Sequence, residues 1–163
     1  MTVAAPTPYD HVPYESRAFL ETHPDHLATQ AILFGAKPPE VARARVLELG
    51  CAGGGNLIPL ALALPDATFV GIDLSATQIT RATAQVERFG LTNITFRQVD
   101  IADIDESLGT FDYILCHGVY SWVAPEIQQA ILKTCARNLA PTGWRTSVST
   151  SSPAGISAAG CAS

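Results

Sequence analysis

Residues 46–56 read VLELGCAGGGN, and this stretch decides how the chain is expected to fold. A short apolar run that ends in a glycine-rich segment is typical of a buried β-strand followed by a tight turn. The apolar pattern that follows, in NLIPLALAL, is that of a helix. The stretch therefore predicts a strand–loop–helix unit whose glycines let backbone N–H groups approach a ligand closely.

The same switch between strand and helix patterns recurs on both sides of this unit. Further strands are predicted over 68–73, 93–99 and 111–117, and helices over 22–35, 76–90 and 125–140. Thr22 is the predicted N-cap of the first of these helices, while Ser75 and Gln78 form a capping box for the second, which Gly90 closes. This alternation predicts an α/β fold, a Rossmann-like, doubly wound and mainly parallel sheet with helices on both faces.

Composition narrows the class of protein. The 163 residues suit one domain, with 47% hydrophobic and 15% charged residues. A net charge of −5 argues against nucleic acid as a partner, and no apolar run approaches the ~20 residues that a membrane helix needs. The four cysteines are scattered, without a CxxC motif, and the N-terminus lacks the pattern of a secretion signal. We therefore expect reduced thiols, a cytoplasmic location and no metal site.

Candidate ligand-binding residues fall at the carboxyl ends of the predicted strands, where open parallel sheets bind their ligands. The glycine loop follows the first strand, Asp73 ends the second, and Asp100-Ile101 follow the third. The fourth strand ends at Cys116-His117. An acid at the end of the second strand is placed to accept hydrogen bonds from the two hydroxyls of a ribose.

Two common nucleotide-binding loops do not fit the glycine segment. A P-loop requires Gly-Lys-Ser/Thr after its glycines, whereas this chain has Gly55-Asn56. The dinucleotide fingerprint requires a glycine where Ala52 stands, so an NAD-dependent oxidoreductase is disfavoured. The loop instead presents an acid, Glu48, two residues before Gly50.

With that acid, the sequence resembles the class I S-adenosylmethionine (SAM) dependent methyltransferases over VLELGCAGGGN, VGIDLS, QVDIAD and FDYILCHGVYSWV. The resemblance implies SAM as the cofactor and methyl transfer to an unknown acceptor. It implies that the first loop holds the methionine part, that the second-strand acid holds the ribose, and that the third-strand acid lies by the adenine amine. The cofactor-binding residues implied are Glu48, Gly50, Cys51, Ala52, Gly53, Asp73, Leu74, Asp100, Ile101, Cys116 and Tyr14.

A narrower resemblance extends over roughly residues 9–143. YDHVPYES, THPDHLAT, NLIPLALALP and CHGVYSWV are similar to bacterial methyltransferases that carry a separate methyltransferase regulatory domain. It implies that an N-terminal arm and helix, residues 1–40, cover the cofactor, with Tyr9 and Tyr14 in the pocket, and that residues 41–143 form the catalytic core. Some relatives of that group are implicated in protein lysine methylation, so the acceptor is expected to be a protein side chain or a small molecule.

Catalytic candidates are His117 and Tyr120. Because an imidazole titrates near pH ~6.5, His117 suits a general base, although it could equally orient the substrate or fill space. Tyr120 and Trp122 are expected to pack against or cap the pocket rather than do chemistry. The sequence [DN]-P-P-[YF], a signature of amino-group methylation, is absent at 116–119. The acidic run over 100–112 lacks calcium-loop spacing, so it indicates a solvated loop and not a metal site.

The chain ends in an unusual segment, residues 144–163, which reads WRTSVSTSSPAGISAAGCAS. The resembled proteins continue with a strand like V-A-Y-V-S-[YF]-N, and codons permitted for residues 144–150 spell V-A-Y-V-S-F-N when shifted by one base. We therefore expect a frameshifted, truncated member that lacks the C-terminal strands, with a possible fifth strand followed by disorder. The rival function is a truncated SAM-binding fragment without turnover. Sequencing the gene tests the frameshift.

Overall fold

The computed structural model of the protein describes residues 16–148 and 156–158, with side chains over 16–141. Helices are Pro24–Leu33 (α1), Leu57–Ala63 (α2), Ala76–Phe89 (α3) and Pro125–Asn138 (α4). Strands are Arg45–Leu49 (β1), Thr68–Asp73 (β2), Ile94–Gln98 (β3), Phe111–His117 (β4), Leu139–Val148 (β5) and Ile156–Ala158 (β6). Short 3-10 turns cover Leu20–Thr22, Val41–Arg43, Ile101–Asp103 and Glu106–Leu108.

The strands form one sheet in the order β3-β2-β1-β4-β5-β6. Strands β1 to β5 run parallel, and β6 pairs with β5 in the antiparallel sense. The chain therefore builds outward from β1 to β3 and then crosses back to place β4 on the other side of β1. This reversal beside β1 is the point where open α/β sheets form their ligand crevice.

Both faces of the sheet are covered, as the alternation of strand residues dictates. Val46 joins an apolar cluster with Leu27 of α1 and Leu57 of α2, whereas the next residue, Leu47, joins a second cluster with Ile131 of α4. The predicted two-sided α/β fold is confirmed by this arrangement. Among residues 16–148 and 156–158, we find no helix with the length and apolar character needed to span a membrane.

The start of α1 differs from the sequence prediction. Thr22 lies one residue too early, at the end of a 3-10 turn, and the residue that caps the helix is His23, whose Nδ1 accepts a hydrogen bond from Asp25 N at 3.1 Å. Thr22 is fully buried, and its hydroxyl lies 2.8 Å from Phe19 O. The hydroxyl also accepts a hydrogen bond from Asn56 Nδ2 at 3.0 Å, a tertiary contact that a local capping rule cannot reveal.

The C-terminal end of the sheet requires a second correction. The sequence predicts that the C-terminal strands are missing apart from a possible fifth strand; β5 does pair with β4 over Tyr113 to His117, and β6, which was not expected, extends the sheet. The edge of β4 offers unpaired backbone groups, and the β-prone segment RTSV satisfies them. The expected disorder concerns residues 149–155 and 159–163, which lie outside the described residues.

Candidate active site

A cavity of about 480 Å³ opens at the carboxyl ends of β1, β2 and β4. Its volume is in the range of sites that hold small organic ligands. The wall is mostly apolar, with the carboxylates of Asp73 and Asp100 among its few charged groups. The lining residues are Gly50, Ala52, Asp73, Leu74, Asp100, Ile101, His117, Gly118, Val119, Trp122, Val123, Ala124 and Ile127.

Most of the predicted ligand-binding positions meet at this cavity. Six of the eleven predicted cofactor residues and His117 are in its wall. Four others are buried just behind that wall: Glu48, Cys51, Gly53 and Cys116. Tyr120 packs against the second apolar cluster and is not a lining residue. Tyr9 and Tyr14 lie outside the described residues.

Several lining residues escaped the sequence reasoning. Gly118, Val119 and Val123 lie in the segment CHGVYSWV, on which the resemblance is partly based. The sequence does not indicate which residues of this segment line the cavity. Ile127 belongs to the first turn of α4 and enters the wall because that helix begins beside the end of β4. These positions depend on the path of a loop, which local patterns do not encode.

Asp73 ties the glycine loop to the helix that follows β2. Its Oδ2 accepts a hydrogen bond from Ala52 N at 2.8 Å, and its Oδ1 accepts one from Ser75 N at 2.9 Å. Ala52 has a φ of 46°, a left-handed conformation that is costly for a residue with a Cβ. Each carboxylate oxygen retains a second lone pair, so Asp73 can fix the loop and also accept hydrogen bonds from a ligand.

Other amides of the glycine loop are also engaged within the protein. Gly50 N and Cys51 N both donate to Ile72 O, at 2.8 and 3.0 Å. Gly54 N donates to Cys51 O at 3.0 Å, and Gly55 N donates to Ser16 Oγ at 2.7 Å. The loop is therefore held by a set of internal hydrogen bonds before any ligand arrives.

Two glycines of the loop are required by close approach. Gly50 has a φ of 74°, and a Cβ there would lie 2.3 Å from Cγ2 of Val119, the segment after β4. A Cβ on Gly55 would lie 2.4 Å from the backbone oxygen of Ser16. These glycines let the loop approach the segment after β4 at one end and the N-terminal residue Ser16 at the other.

Glu48 lies beneath the loop as a buried acid. It is 3% exposed, and its Oε1 accepts a hydrogen bond from Asn56 Nδ2 at 2.8 Å. Oε2 has no hydrogen-bond partner within the described part of the chain. Burial raises the pKa of Glu48 to about 7; the Asn56 bond opposes the rise and the negative charge of Asp73 adds to it. The carboxyl is therefore partly protonated at neutral pH.

Asn56 connects that acid to the N-terminal arm, which we define as residues 16–22. Its Oδ1 accepts a hydrogen bond from Phe19 N at 3.0 Å, and its Nδ2 donates to Thr22 Oγ1 at 3.0 Å. Asn56 is itself 4% exposed, so these bonds form in a water-poor environment where each has a large effect. Asn56 therefore links the arm to Glu48 of β1.

The arm carries two residues to His117 at the end of β4. The Phe19 ring stacks on the imidazole, with 3.6 Å between centroids and 28° between planes, and Glu21 Oε1 lies 3.6 Å from Nε2. The His117 side chain is 7% exposed. Burial lowers the pKa of His117, Glu21 opposes the change and Arg17 adds to it, so the imidazole is neutral at neutral pH. Sequence reasoning found His117 but gave no signal for its partners on the arm.

The cysteines near the cavity are buried and protonated. The described cysteines, Cys51, Cys116 and Cys135, are buried and free. Burial raises the pKa of the Cys51 thiol and that of Cys116, the latter to about 12, so both remain protonated at neutral pH. In the part of the chain that the structure describes, no group of three His, Cys, Asp or Glu side chains could hold a metal ion.

Comparison with known proteins gives the family. The model of a methyltransferase domain matches residues 46–143. Two uncharacterized proteins of Rickettsia prowazekii (strain Madrid E) are similar: RP789 is 54% identical over 87% of this chain and 26% of its own length, and RP028 is 42% identical over 83% and 54%. The structure of PKMT2 from Rickettsia typhi in complex with AdoHcy has a TM-score of 0.80 and 41% identity, covering 83% of this chain and 26% of that one.

The chain thus spans about a quarter of the length of RP789 and about half of that of RP028. The matched region runs from β1 into β5 and contains the glycine loop, Asp73, Asp100 and His117. Because this match covers more than half of the chain, the protein belongs to the methyltransferase-domain family, the class I SAM-dependent methyltransferases.

Proposed function

We propose that the protein transfers a methyl group from SAM to an acceptor, either a protein side chain or a small molecule, and releases S-adenosylhomocysteine (AdoHcy). The observation that carries the proposal is the shared cavity. The glycine loop, Asp73 and Asp100-Ile101 come from the ends of three adjacent strands and meet in one wall. AdoHcy in the structure of the Rickettsia typhi relative supports the same choice of ligand.

The residues of the wall suit such a cofactor. Asp73 keeps free acceptor capacity for the ribose hydroxyls, while Leu74 and Ile101 offer apolar surface for the adenine. Asp100 can accept from the adenine amine, although its Oδ1 already accepts from Ala102 N at 2.9 Å. Oε2 of Glu48 is a further buried acceptor behind the loop that no described group satisfies.

Bound SAM supplies a methyl group that its sulfonium sulfur has already activated. The protein then has to align the acceptor with that group and to keep water out, and alignment of this kind can lower a barrier by ~7–11 kcal/mol. The mostly apolar wall around Val119, Val123 and Ile127 is suited to excluding water. A cytoplasmic location, expected from the cysteine pattern, is part of this proposal.

Calorimetric titration with SAM and, separately, with NAD tests the cofactor assignment. Asp73→Ala removes the acceptor from the ribose and from two backbone amides, so we expect SAM affinity to fall at least ~10-fold. Asp73→Asn keeps one carbonyl oxygen and should lose less. Asp66→Ala, a change at an exposed acid on the turn before β2, is the matched control and should bind as the wild type does.

Unchanged SAM affinity in Asp73→Ala, or tighter binding of NAD than of SAM, would contradict the proposal. Formation of AdoHcy by the wild-type protein distinguishes an enzyme from the rival function. A truncated SAM-binding fragment would bind SAM yet form no AdoHcy with any acceptor, whereas an enzyme would form AdoHcy together with methylated product.

A further inference from the structure

We propose that Glu21 and His117 form a carboxylate–imidazole pair in which His117 takes the proton released by the methyl-accepting group and Glu21 positions the imidazole. The inference rests on the proposed function and deepens it. It names the acceptor class as a nucleophile that carries a proton when it reaches the site: a hydroxyl, a thiol or an ammonium group.

The His117 ring contacts both the cavity and the N-terminal arm. His117 is in the cavity wall, and its Nε2 lies 3.6 Å from Glu21 Oε1. The stacked Phe19 ring fixes the plane of the imidazole. A carboxylate beside Nε2 favours the tautomer that keeps the proton on Nε2, which leaves the lone pair on Nδ1. Nδ1 is therefore the nitrogen that accepts a proton.

The arm that bears Glu21 is anchored in the protein interior. Glu21 lies between Phe19 and Thr22, and both of these residues hydrogen-bond Asn56 in the protein interior. Thr22 is fully buried and Glu21 is about two-fifths exposed, so the backbone is fixed while the carboxylate lies beside His117. Glu21 is thus held in place by the fold, although it belongs to a segment with no regular strand or long helix.

The environment of the His117 ring sets its charge before and after it takes a proton. Glu21 and Arg17, both on the arm, are the charged groups that act on His117. Burial lowers the pKa of His117, so the imidazole starts neutral, and Glu21 stabilises the imidazolium once a proton arrives. A base of this kind is poised to accept a proton at neutral pH.

Methyl transfer to such an acceptor releases one proton. The acceptor atom forms a bond to the methyl carbon, and the carbon–sulfur bond breaks with its electron pair going to sulfur. The proton of the acceptor passes to Nδ1 of His117 and then to water. An ammonium acceptor gives up this proton before the bond forms, whereas a hydroxyl or thiol gives it up as the bond forms.

NMR titration of the histidine side chains, with and without AdoHcy, tests the pair without turnover. Glu21→Gln removes a negative charge beside the ring, so we expect the pKa of His117 to fall and the Nε2-protonated tautomer to lose its dominance. Glu40→Gln makes the same change at an exposed position and should alter neither. An unchanged His117 titration and tautomer in Glu21→Gln would overturn the pair.

Transfer from SAM to catechol, dithiothreitol or butylamine, followed as AdoHcy formed, tests the catalytic role. We expect His117→Gln to lower kcat ~100-fold or more. Glu21→Gln should lower kcat less, leave the KM for SAM within about twofold, and shift the acidic limb of the pH profile downward, because the base then has a lower pKa. Glu40→Gln should match the wild type.

These experiments distinguish a failure of the Glu21–His117 pair from a failure of the proposed function. Wild-type protein that fails to bind SAM contradicts the proposed function, while the NMR titration still decides whether the pair exists. SAM binding without AdoHcy from all three acceptors overturns the acceptor class. Transfer with an unshifted pH profile in Glu21→Gln overturns the positioning role alone.

Discussion

Glu48 combines deep burial with a carboxyl oxygen that lacks a partner among residues 16–148 and 156–158. Burial raises its pKa from an ordinary value of about 4.5 to about 7, so the native state holds this proton more tightly than the unfolded chain does. The stability that Glu48 contributes is complete below pH ~4.5 and is lost as the pH rises through about 7.

Glu48→Gln removes that dependence while keeping an oxygen for the Asn56 bond. Between pH 5 and pH 8, we expect the free energy of unfolding of the variant to gain on the order of 2 kcal/mol relative to wild type. Urea denaturation at the two pH values measures the difference. Glu40→Gln, an exposed change, is the control, and equal pH dependence in wild type and Glu48→Gln would contradict the prediction.

At this scale, sequence patterns located residues whose role depends on near neighbours. Ser75 does accept a hydrogen bond from Gln78 N, at 3.2 Å, and Gly90 ends α3 with a φ of 64°. Thr22 is assigned the wrong role from sequence and Glu21 is not singled out, because their partners, Asn56 and His117, lie far along the chain. A capping rule reads three or four residues, whereas these contacts exist only after the sheet has formed.

Among the elements, the N-terminal arm is held to the core by several contacts, and Asn56 makes two of its hydrogen bonds. Asn56→Ala removes the acceptor of Phe19 N and the donor to Thr22 Oγ1. We expect a loss of ~1–3 kcal/mol of stability and faster hydrogen exchange at the Phe19 amide. Exchange rates read by NMR, together with a melting curve, measure both effects.

Asn93→Ala is the matched control for this element. Asn93 Nδ2 lies 3.1 Å from three backbone oxygens, those of Ala61, Leu64 and Ala67, and none of them belongs to the arm. Asn93→Ala should also destabilise the protein. The protection of the Phe19 amide from hydrogen exchange, measured relative to global unfolding, should remain as it is in the wild type. A Phe19 amide that responds equally to both variants would show that Asn56 has no special hold on the arm.

For the elements of the sheet, prediction from sequence worked well because local pattern and tertiary environment agree. The apolar runs RVLEL, TFVGID and FDYILCH became β1, β2 and β4 with those bounds. The arm could not be predicted in the same way, since its path is set by hydrogen bonds to Asn56 and by the space left at Gly55.

On the scale of the whole molecule, the sheet continues past the expected point. Strand β4 lies between β1 and β5, and its residues Tyr113, Ile114 and Leu115 are fully buried. Removing residues 142–163 deletes most of β5 and leaves β4 with one unpaired edge. We expect a lower melting temperature and self-association, because an exposed apolar edge strand pairs with other copies.

Light scattering after size exclusion, with a thermal melt, measures the effect of that truncation. A shorter truncation that removes only residues 159–163 keeps both strands and should behave as the intact chain does. If the longer truncation melts and elutes as the intact chain does, β5 contributes little to the fold. The frameshift expected from the letters of residues 144–163 stays a prediction that the gene sequence tests.

The sequence predicted the cavity residues at the ends of β1, β2 and β3 better than those around His117. Parallel strands deliver their carboxyl ends to one edge, so Gly50, Asp73 and Asp100 could be brought together from strand positions alone. The residues around His117 come instead from the arm and from the loop after β4, whose paths depend on long-range packing.

The internal hydrogen bonds of the glycine loop have a consequence for ligand selection. An anion-binding nest requires successive backbone N–H groups that point at the ligand and have no other partner. Here the amides of Gly50, Cys51, Ala52, Gly54 and Gly55 are already donors to the protein's own oxygens. A diphosphate would have to break those bonds to gain its own, so we expect phosphorylated nucleotides and dinucleotides to bind this cavity more weakly than a nucleoside without phosphate does.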